Sequence, residues 1–182
     1  PLMLLVRRWA RDRGIAHAAR GHLSTYAWNV LTVFFLQAAP ECDSSIGPIS
    51  AKTLAQPDAG PKEGCPQKST AVLFRELVAF YANDFDWQHE GISVRLGHRA
   101  PPRPELPSHR VTSENGAHCF RPSIEDPFEV TRNLGSGVSS TGVVRLHEEL
   151  LRADELCSKG ASLRELLELW APPSDQAHDG SQ

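Results

Sequence analysis

Apolar residues recur at helical spacing along much of the chain, and this pattern predicts a mainly helical protein. Leu2, Val6 and Trp9 share one helical face. The stretch that begins near Ser24 is apolar nearly all round, which is typical of a helix at the centre of a core. A capping box at Ser162 predicts a last, short helix. In chain order, the predicted helices cover about residues 2–13, 24–37, 71–83, 141–157 and 163–170.

Alternating or turn-rich stretches lie between the third and fourth predicted helices. The alternation at 92–96 predicts a short strand, and a second is predicted at about 119–124. The sequence Asp-Pro-Phe-Glu at 126–129 has the cap, proline and glutamate that open helices. The fold class predicted from these patterns is mainly α with a small β element, and one core is expected from the four longer helices.

Two proline-rich stretches lack any periodicity. Residues 38–70 hold five prolines and are predicted to form an exposed insertion or linker, and residues 98–117 hold four and are predicted to form a loop insertion. The polar residues 171–182 are predicted to be a disordered tail. These boundaries leave two ordered units, 1–37 and 71–170.

Composition and charge exclude several classes of protein. Hydrophobic residues make up 40% of the 182 residues, which excludes global disorder, and the net charge of −3 excludes a polycation. The charge is uneven: residues 1–26 carry five arginines and one acid, whereas 141–182 carry four basic and eight acidic residues. The four cysteines form no C-x-x-C motif, so we expect neither a zinc site nor a disulfide framework. The longest apolar run, 27–39, is too short to span a membrane.

Three stretches taken together resemble a known family. They are LLVRRWARDRGI at 4–15 with GHLSTY at 21–26, then FYANDFDW at 80–87 with ISVR at 92–95, and IEDPFEVTRN at 124–133. They look like the terminal uridylyltransferases and related poly(A) polymerase-like RNA nucleotidyltransferases. The resemblance covers about half of the chain. It implies the helical central and C-terminal half of a DNA polymerase β-like nucleotidyltransferase, with 1–37 in the central domain and 71–170 as the poly(A) polymerase-associated domain.

The resemblance implies a reaction and partners for the whole enzyme. An RNA 3′-hydroxyl attacks the α-phosphate of UTP or ATP, and Mg²⁺ or Mn²⁺ assists from carboxylates in an upstream domain. The chain starts at Pro1 without a methionine, so we expect a fragment that holds no catalytic or metal-binding residue and is inactive alone. A monomer in an intracellular, reducing compartment is expected, with the cytoplasm favoured over the nucleus or mitochondrion. The alternative is a non-catalytic module that binds RNA or a partner.

The family's binding residues carry over to nine positions, several of which also have a simpler structural interpretation. Arg7 and Arg11 match basic residues that hold the triphosphate, although a solvated arginine face would explain them too. Ser24 and Thr25 match phosphate contacts, and they also suit a helix cap. Tyr26 matches the aromatic ring that stacks on the base. The base edge is matched by Asp126, Glu129, Arg132 and Asn133, of which Asp126 and Glu129 also suit the capping box. Arg7, Arg11, Thr25, Tyr26, Asp126 and Glu129 are expected to line one cleft.

Arg132 departs from the family pattern, because uridylyl-adding members commonly have His there. Arginine only donates hydrogen bonds, so at the base edge it would favour the O4 acceptor of uracil, and the O6 of guanine, over the N6 donor of adenine. The alternative is that this longer side chain turns toward phosphate or solvent. Ser136 stands where the family often has a basic residue, so one anion contact is expected to be lost.

The remaining polar residues are given structural roles. Asp84 and Asp86 are interpreted as scaffold and not as a metal pair, and Arg8 and Arg13 as solvated or RNA-facing. Cys119 and Cys157 are predicted in the core. The histidines predicted at the surface are His89, His98, His109, His118 and His147.

Overall fold

The computed structural model describes residues 1–39, 47–49, 68–112 and 118–171. Within these ranges the helices are α1 (Leu2–Asp12), α2 (Thr25–Ala38), α3 (Thr70–Ala79), α4 (Ser140–Ser158) and α5 (Leu163–Leu166). A 3₁₀ turn lies at Ala18–Arg20, and α3 continues into a π-helical turn at Phe80–Asp84. Strands β1 (His109–Thr112) and β2 (His118–Arg121) pair antiparallel.

The predicted helices are present with small shifts at their ends. Serine side chains begin α2, α3, α4 and α5: each accepts a hydrogen bond from the backbone three residues on, as a cap requires. The last helix is shorter than predicted: α5 ends at Leu166, the Leu167 N–H still donates to the carbonyl of Leu163, and residues 168–170 are not helical. Most of the predicted insertion at 38–70, and residues 172–182 of the predicted tail, lie outside the described residues.

Three predictions between α3 and α4 are wrong. Residues 92–96 form no strand: Ile92 makes one isolated bridge to Ile124, and the chain then turns through Gly97 at φ +69°. The alternation reflects the burial of Ile92 and Val94, which a turn achieves as well as a strand. The predicted loop at 98–117 contains β1, whose partner β2 begins and ends earlier than the predicted strand.

The third wrong prediction is the helix start at Asp126. The carboxylate does accept hydrogen bonds from the backbone N–H groups of Phe128 and Glu129. The chain then folds back, because the backbone N–H of Asp126 donates to the carbonyl of Arg132 at 3.1 Å. The result is a closed turn, and Glu125 pairs with Asn133 across its base. We call residues 126–133 the DPFE loop.

The four longer helices pack around one aromatic core, as predicted. Trp9 of α1 meets Trp28 of α2 and Phe74 of α3 edge to face, with ring centroids 5.4 and 5.7 Å apart. The buried Tyr81 hydroxyl donates to the carbonyl of Leu31 at 2.7 Å. No helix in the described ranges is both long enough and apolar enough to cross a membrane.

A charged pair lies inside this core, where solvent was predicted for Arg13. The guanidinium of Arg13 makes two hydrogen bonds with the Glu149 carboxylate, at 2.7 and 2.9 Å, and the two side chains are 8% and 2% exposed. Arg145 donates to the same carboxylate at 2.8 Å. Because an arginine cannot lose its charge, this complete pairing is what allows Arg13 to be buried.

The segment after α5 closes over this pair. Arg13 donates to the carbonyl of Glu168 at 2.6 Å, and the backbone N–H of Trp170 donates to the carbonyl of Asp12 at 2.9 Å. The Arg145 guanidinium lies 4.6 Å from the centre of the Trp170 ring, a cation–π distance. The C-terminal segment is therefore fixed against the end of α1.

His147 also departs from its predicted surface position. Its ring meets Trp87 edge to face at 5.4 Å, and burial lowers its pKa. Cys119 and Cys157 pack against the core as predicted, although both are only partly buried, and burial raises the pKa of both thiols.

We expect Arg13→Met to lower the free energy of unfolding by about 3 kcal/mol, the low end for breaking a buried pair, because Arg145 still partly neutralises Glu149. The double variant R13M/E149L should recover part of the loss, since neither charge then remains buried without its partner. Urea denaturation followed by tryptophan fluorescence measures both. The pairing would be contradicted if R13M/E149L lost as much free energy of unfolding as R13M and E149L lose when their separate losses are added.

Candidate functional site

The loop that leads into α2 is docked onto the start of α4. The carbonyl of Gly21 accepts hydrogen bonds from the backbone N–H of Ser139 at 2.9 Å and from its hydroxyl at 3.2 Å. A side chain on Gly142 would place its Cβ 2.0 Å from that carbonyl oxygen, so only glycine allows the approach. This contact sets where α2 begins. The Ser24 hydroxyl caps the helix by accepting from the Ala27 N–H at 3.0 Å.

Tyr26 and the DPFE loop meet at this point, although they lie 100 residues apart in sequence. The Tyr26 hydroxyl donates to Oδ1 of Asp126 at 3.3 Å. Burial, and then the Asp126 charge, raise the pKa of Tyr26, so its hydroxyl keeps its proton at neutral pH. Nη1 of Arg132 lies 3.6 Å from Oδ2 of the same carboxylate. Tyr26 is 37% exposed and the Arg132 side chain 60% exposed, so both reach solvent next to a buried carboxylate.

The other predicted base-edge residues lie in the same loop. Glu129 is exposed, and its carbonyl accepts from the backbone N–H of Arg132 at 2.8 Å. Oδ1 of Asn133 accepts from the backbone N–H groups of Ile124 and Gly135, at 3.0 and 2.8 Å. Asn133 therefore clamps the base of the loop, whichever ligand the loop meets. The Ser136 hydroxyl donates to the carbonyl of Asn133 at 2.8 Å.

The predicted triphosphate residues lie on the first two helices. Arg7 and Arg11 are exposed one turn apart on α1, and Thr25 is exposed at the first turn of α2. Nε of Arg11 lies 3.6 Å from the Asp12 carboxylate, while Arg8 pairs with the same carboxylate. Among the described residues, no hydrogen bond or ion pair links Arg7 or Arg11 with Tyr26 or Asp126. A shared cleft for all six residues therefore stays a prediction.

Sequence reasoning missed Glu125, the residue that precedes the loop. Its carboxylate is buried and accepts from the Ser93 hydroxyl at 3.0 Å, from Arg95 at 3.2 Å and from Arg103 at 2.9 Å. The sequence feature that could have identified it is the pair of adjacent acids at 125 and 126. Adjacent side chains in a turn point in different directions, so only one of the two can face a ligand.

Asp84 and Asp86 take structural positions. The carbonyl of Asp84 accepts from Arg99 at 2.6 Å. The Asp86 carboxylate accepts from the backbone N–H of Gln88 at 2.9 Å and bonds to Nδ1 of His89 at 2.8 Å, which lowers the pKa of Asp86. Within the part of the chain that the structure describes, no three His, Cys, Asp or Glu side chains come together as a metal site would require.

Known proteins resemble this chain in sequence. Residues 69–132 match the model of the Cid1 family poly A polymerase. Over 183 residues the chain is 27% identical to the poly(A) RNA polymerase GLD2 of Mus musculus, with 94% of this chain and 36% of that protein covered. Over 176 residues it is 23% identical to the terminal uridylyltransferase cid1 of Schizosaccharomyces pombe, with 86% and 43% covered. The chain therefore resembles the terminal uridylyltransferases and poly(A) polymerase-like proteins, and the matching family model covers residues 69–132.

Solved structures of such proteins have the same fold. A structure of Cid1 matches with a TM-score of 0.70 and 22% identity over 96% of this chain and 57% of the other. A cytoplasmic RNA terminal U-transferase matches with a TM-score of 0.66 and 21% identity, over 95% and 59%. The predicted fold class, mainly α with a small β element, is confirmed. The chain spans 36% of the length of the GLD2 relative.

We expect Asn133→Ala to lower the free energy of unfolding by about 1–3 kcal/mol, because two buried backbone N–H groups lose their acceptor. Asn133→Asp keeps an acceptor of the same shape at that point and should lose less. Thermal unfolding without ligand tests the pair. If N133A is as stable as the wild type, Asn133 does not clamp the loop.

Proposed function

We propose that this chain is the nucleotide- and RNA-binding part of an RNA 3′-terminal nucleotidyltransferase that adds UMP, with AMP as the alternative. The observation that carries the proposal is the contact of Tyr26 with Asp126 beside Arg132, which puts an exposed aromatic ring next to paired hydrogen-bonding groups. The names of the relatives, a poly(A) RNA polymerase and a terminal uridylyltransferase, agree with it.

The base and the triphosphate of a nucleoside triphosphate each have a matching group. The Tyr26 ring is the stacking surface for the base, a contact worth about 1–3 kcal/mol that every base can make. Thr25 lies in the first turn of α2, where backbone N–H groups and the helix dipole favour phosphate. Arg7 and Arg11 supply two cations one turn apart for the triphosphate.

The order of donor and acceptor supports a preference for UTP. Arg132 offers only donors, and the ionised carboxylate of Asp126 only acceptors. Uracil presents the complementary pair, with O4 accepting from Arg132 and N3–H donating to Asp126. Adenine presents a donor at N6 and an acceptor at N1. In the same orientation, the Arg132 donor would face a donor and the Asp126 acceptor would face an acceptor. Guanine matches uracil at this edge, so size has to separate GTP from UTP.

Catalysis needs more than this chain. As the family resemblance implies, we propose that the Mg²⁺ or Mn²⁺ ligands lie in polypeptide outside this chain and that the chain alone is inactive. Structures of Cid1 with MgATP and with Mg 3′-dATP support magnesium as the ion. When bound, the ion would neutralise triphosphate charge.

We further propose an RNA 3′ end as the second substrate, a monomeric enzyme, and an intracellular, chiefly cytoplasmic site of action. A structure described as a GLD-2/RNP-8 complex indicates that a family member also binds a protein partner.

Tyr26→Ala should weaken UTP binding by about 10- to 100-fold, because the stacking surface is lost. Tyr26→Phe is the matched control: it keeps the ring, loses only the long hydrogen bond to Asp126, and should stay within a few-fold of the wild type. Calorimetric titration of the chain with UTP measures both. Equal affinity of Y26A and wild type would exclude the stacking role.

Arg132→Ala should reduce the preference for UTP over ATP by about tenfold or more, since one charge-assisted hydrogen bond is lost. Arg132→His should keep part of the preference, because an imidazole can still donate. The measurement is the ratio of kcat/KM for the two nucleotides in RNA extension by the complete enzyme. A wild-type enzyme that uses ATP as well as UTP would overturn the assignment.

A further inference from the structure

A buried ionic cluster lies directly behind the DPFE loop. Glu125 is 4% exposed, and both of its oxygens are engaged, Oε1 by Ser93 and Arg95, and Oε2 by Arg103. The backbone N–H of Glu125 donates to the carbonyl of Ile92 at 2.9 Å. The residue before Asp126 is thus held through its main chain and its side chain together.

Arg103 connects this cluster to the middle of the loop. Its Nη1 lies 2.9 Å from Oε2 of Glu125 and 3.3 Å from the carbonyl of Val130. One guanidinium therefore joins the residue before the loop to a residue inside it. Arg103 belongs to the proline-rich stretch at 98–117, which sequence reasoning treated as an insertion.

We propose that Arg103 and Glu125 are positioning residues for base recognition, which hold the DPFE loop so that Asp126 and Arg132 keep their places beside Tyr26. This inference rests on the proposed function. Neither residue touches the nucleotide in this proposal: Arg103 acts through Val130, and Glu125 acts through the peptide bond it shares with Asp126.

The geometry explains why the DPFE loop needs these positioning residues. Glu125 and Asp126 are adjacent, so their side chains leave the chain in different directions, one into the ionic cluster and the other toward Tyr26. A rotation of the backbone at Glu125 would carry the Asp126 carboxylate away from the Tyr26 hydroxyl. Misplacement of about 1 Å at a binding group is enough to lose much of its contribution.

Arg103→Ala is the direct test, and Arg99→Ala is its matched control. Arg99 lies in the same stretch and has nearly equal side-chain exposure, 33% against 36%, but its ion pair is with Glu90. Both changes remove one positive charge. Only the change at Arg103 cuts a contact with the DPFE loop.

Three measurements on the chain separate the outcomes: the UTP affinity, the affinity for inorganic tripolyphosphate, and amide hydrogen exchange across residues 124–134. For R103A we expect UTP affinity to fall by about 2- to 30-fold, faster exchange in the loop, and unchanged tripolyphosphate affinity. R99A should match the wild type in all three. Tripolyphosphate has no base, so a variant that merely loses its fold would lose both ligands.

Two conservative variants extend the test if R103A does not fold. Arg103→Lys keeps the charge beside Glu125 but cannot make both hydrogen bonds, and Glu125→Gln keeps the size of the side chain but removes its charge. Each should lower UTP affinity less than R103A and leave tripolyphosphate affinity unchanged. Unchanged UTP affinity and unchanged loop exchange in R103A, or in both conservative variants, would overturn the positioning role of Arg103 and Glu125 but not the base site. A wild-type chain that binds UTP no better than tripolyphosphate would overturn the base site itself.

Discussion

The buried pair of Arg13 and Glu149 fixes the relation of the first helix to the longest one. It lies at the end of α1 and in the middle of α4, with both side chains almost fully buried. Removing one partner would leave an uncompensated charge in the core, so separating the two helices would cost several kcal/mol of free energy. The start of α4 in turn receives the loop before α2 through Gly21 and Ser139. Both contacts are made to α4. The position of α1, which carries the candidate triphosphate residues, is therefore fixed relative to the start of α2, which carries Tyr26.

The candidate site is built from both halves of the chain. Tyr26 lies on α2 and Asp126 in the DPFE loop, and the long stretch between α2 and α3 separates the two residues in sequence. That stretch does not have to position the site, because α3 packs directly on α1, with Phe74 against Trp9. Two described residues of the stretch are also held: the N–H of Ile49 donates to Val94, and the carbonyl of Gly47 accepts from Gln37. A proline-rich insertion between packed helices is tolerable for this reason.

The sequence predicts what depends on neighbouring residues and misses what depends on distant ones. The periodicity of Leu2, Val6 and Trp9 and the caps at Ser24 and Ser162 are local, and both appear where predicted. Arg13 resembles the exposed arginines around it, and its burial depends on distant partners, above all Glu149, 136 residues away. The role of Glu125 is missed for the same reason, because its partners Ser93 and Arg103 lie in stretches without helical periodicity. The meeting of Tyr26 with Asp126 was predicted from the family resemblance and not from any spacing.

The two oxygens of Asp126 have different surroundings, and this difference bears on base choice. Oδ1 accepts from Tyr26, from the N–H of Phe128 and from the N–H of Glu129, so it serves the fold. Oδ2 faces Arg132 at 3.6 Å, a separation longer than a hydrogen bond, and the Arg132 side chain is largely solvated. An ion pair of this kind contributes little to stability. A base that accepts from Arg132 and donates to Oδ2 would satisfy both groups better than they satisfy each other. The loop therefore keeps a donor and an acceptor side by side without using either one fully for its own stability.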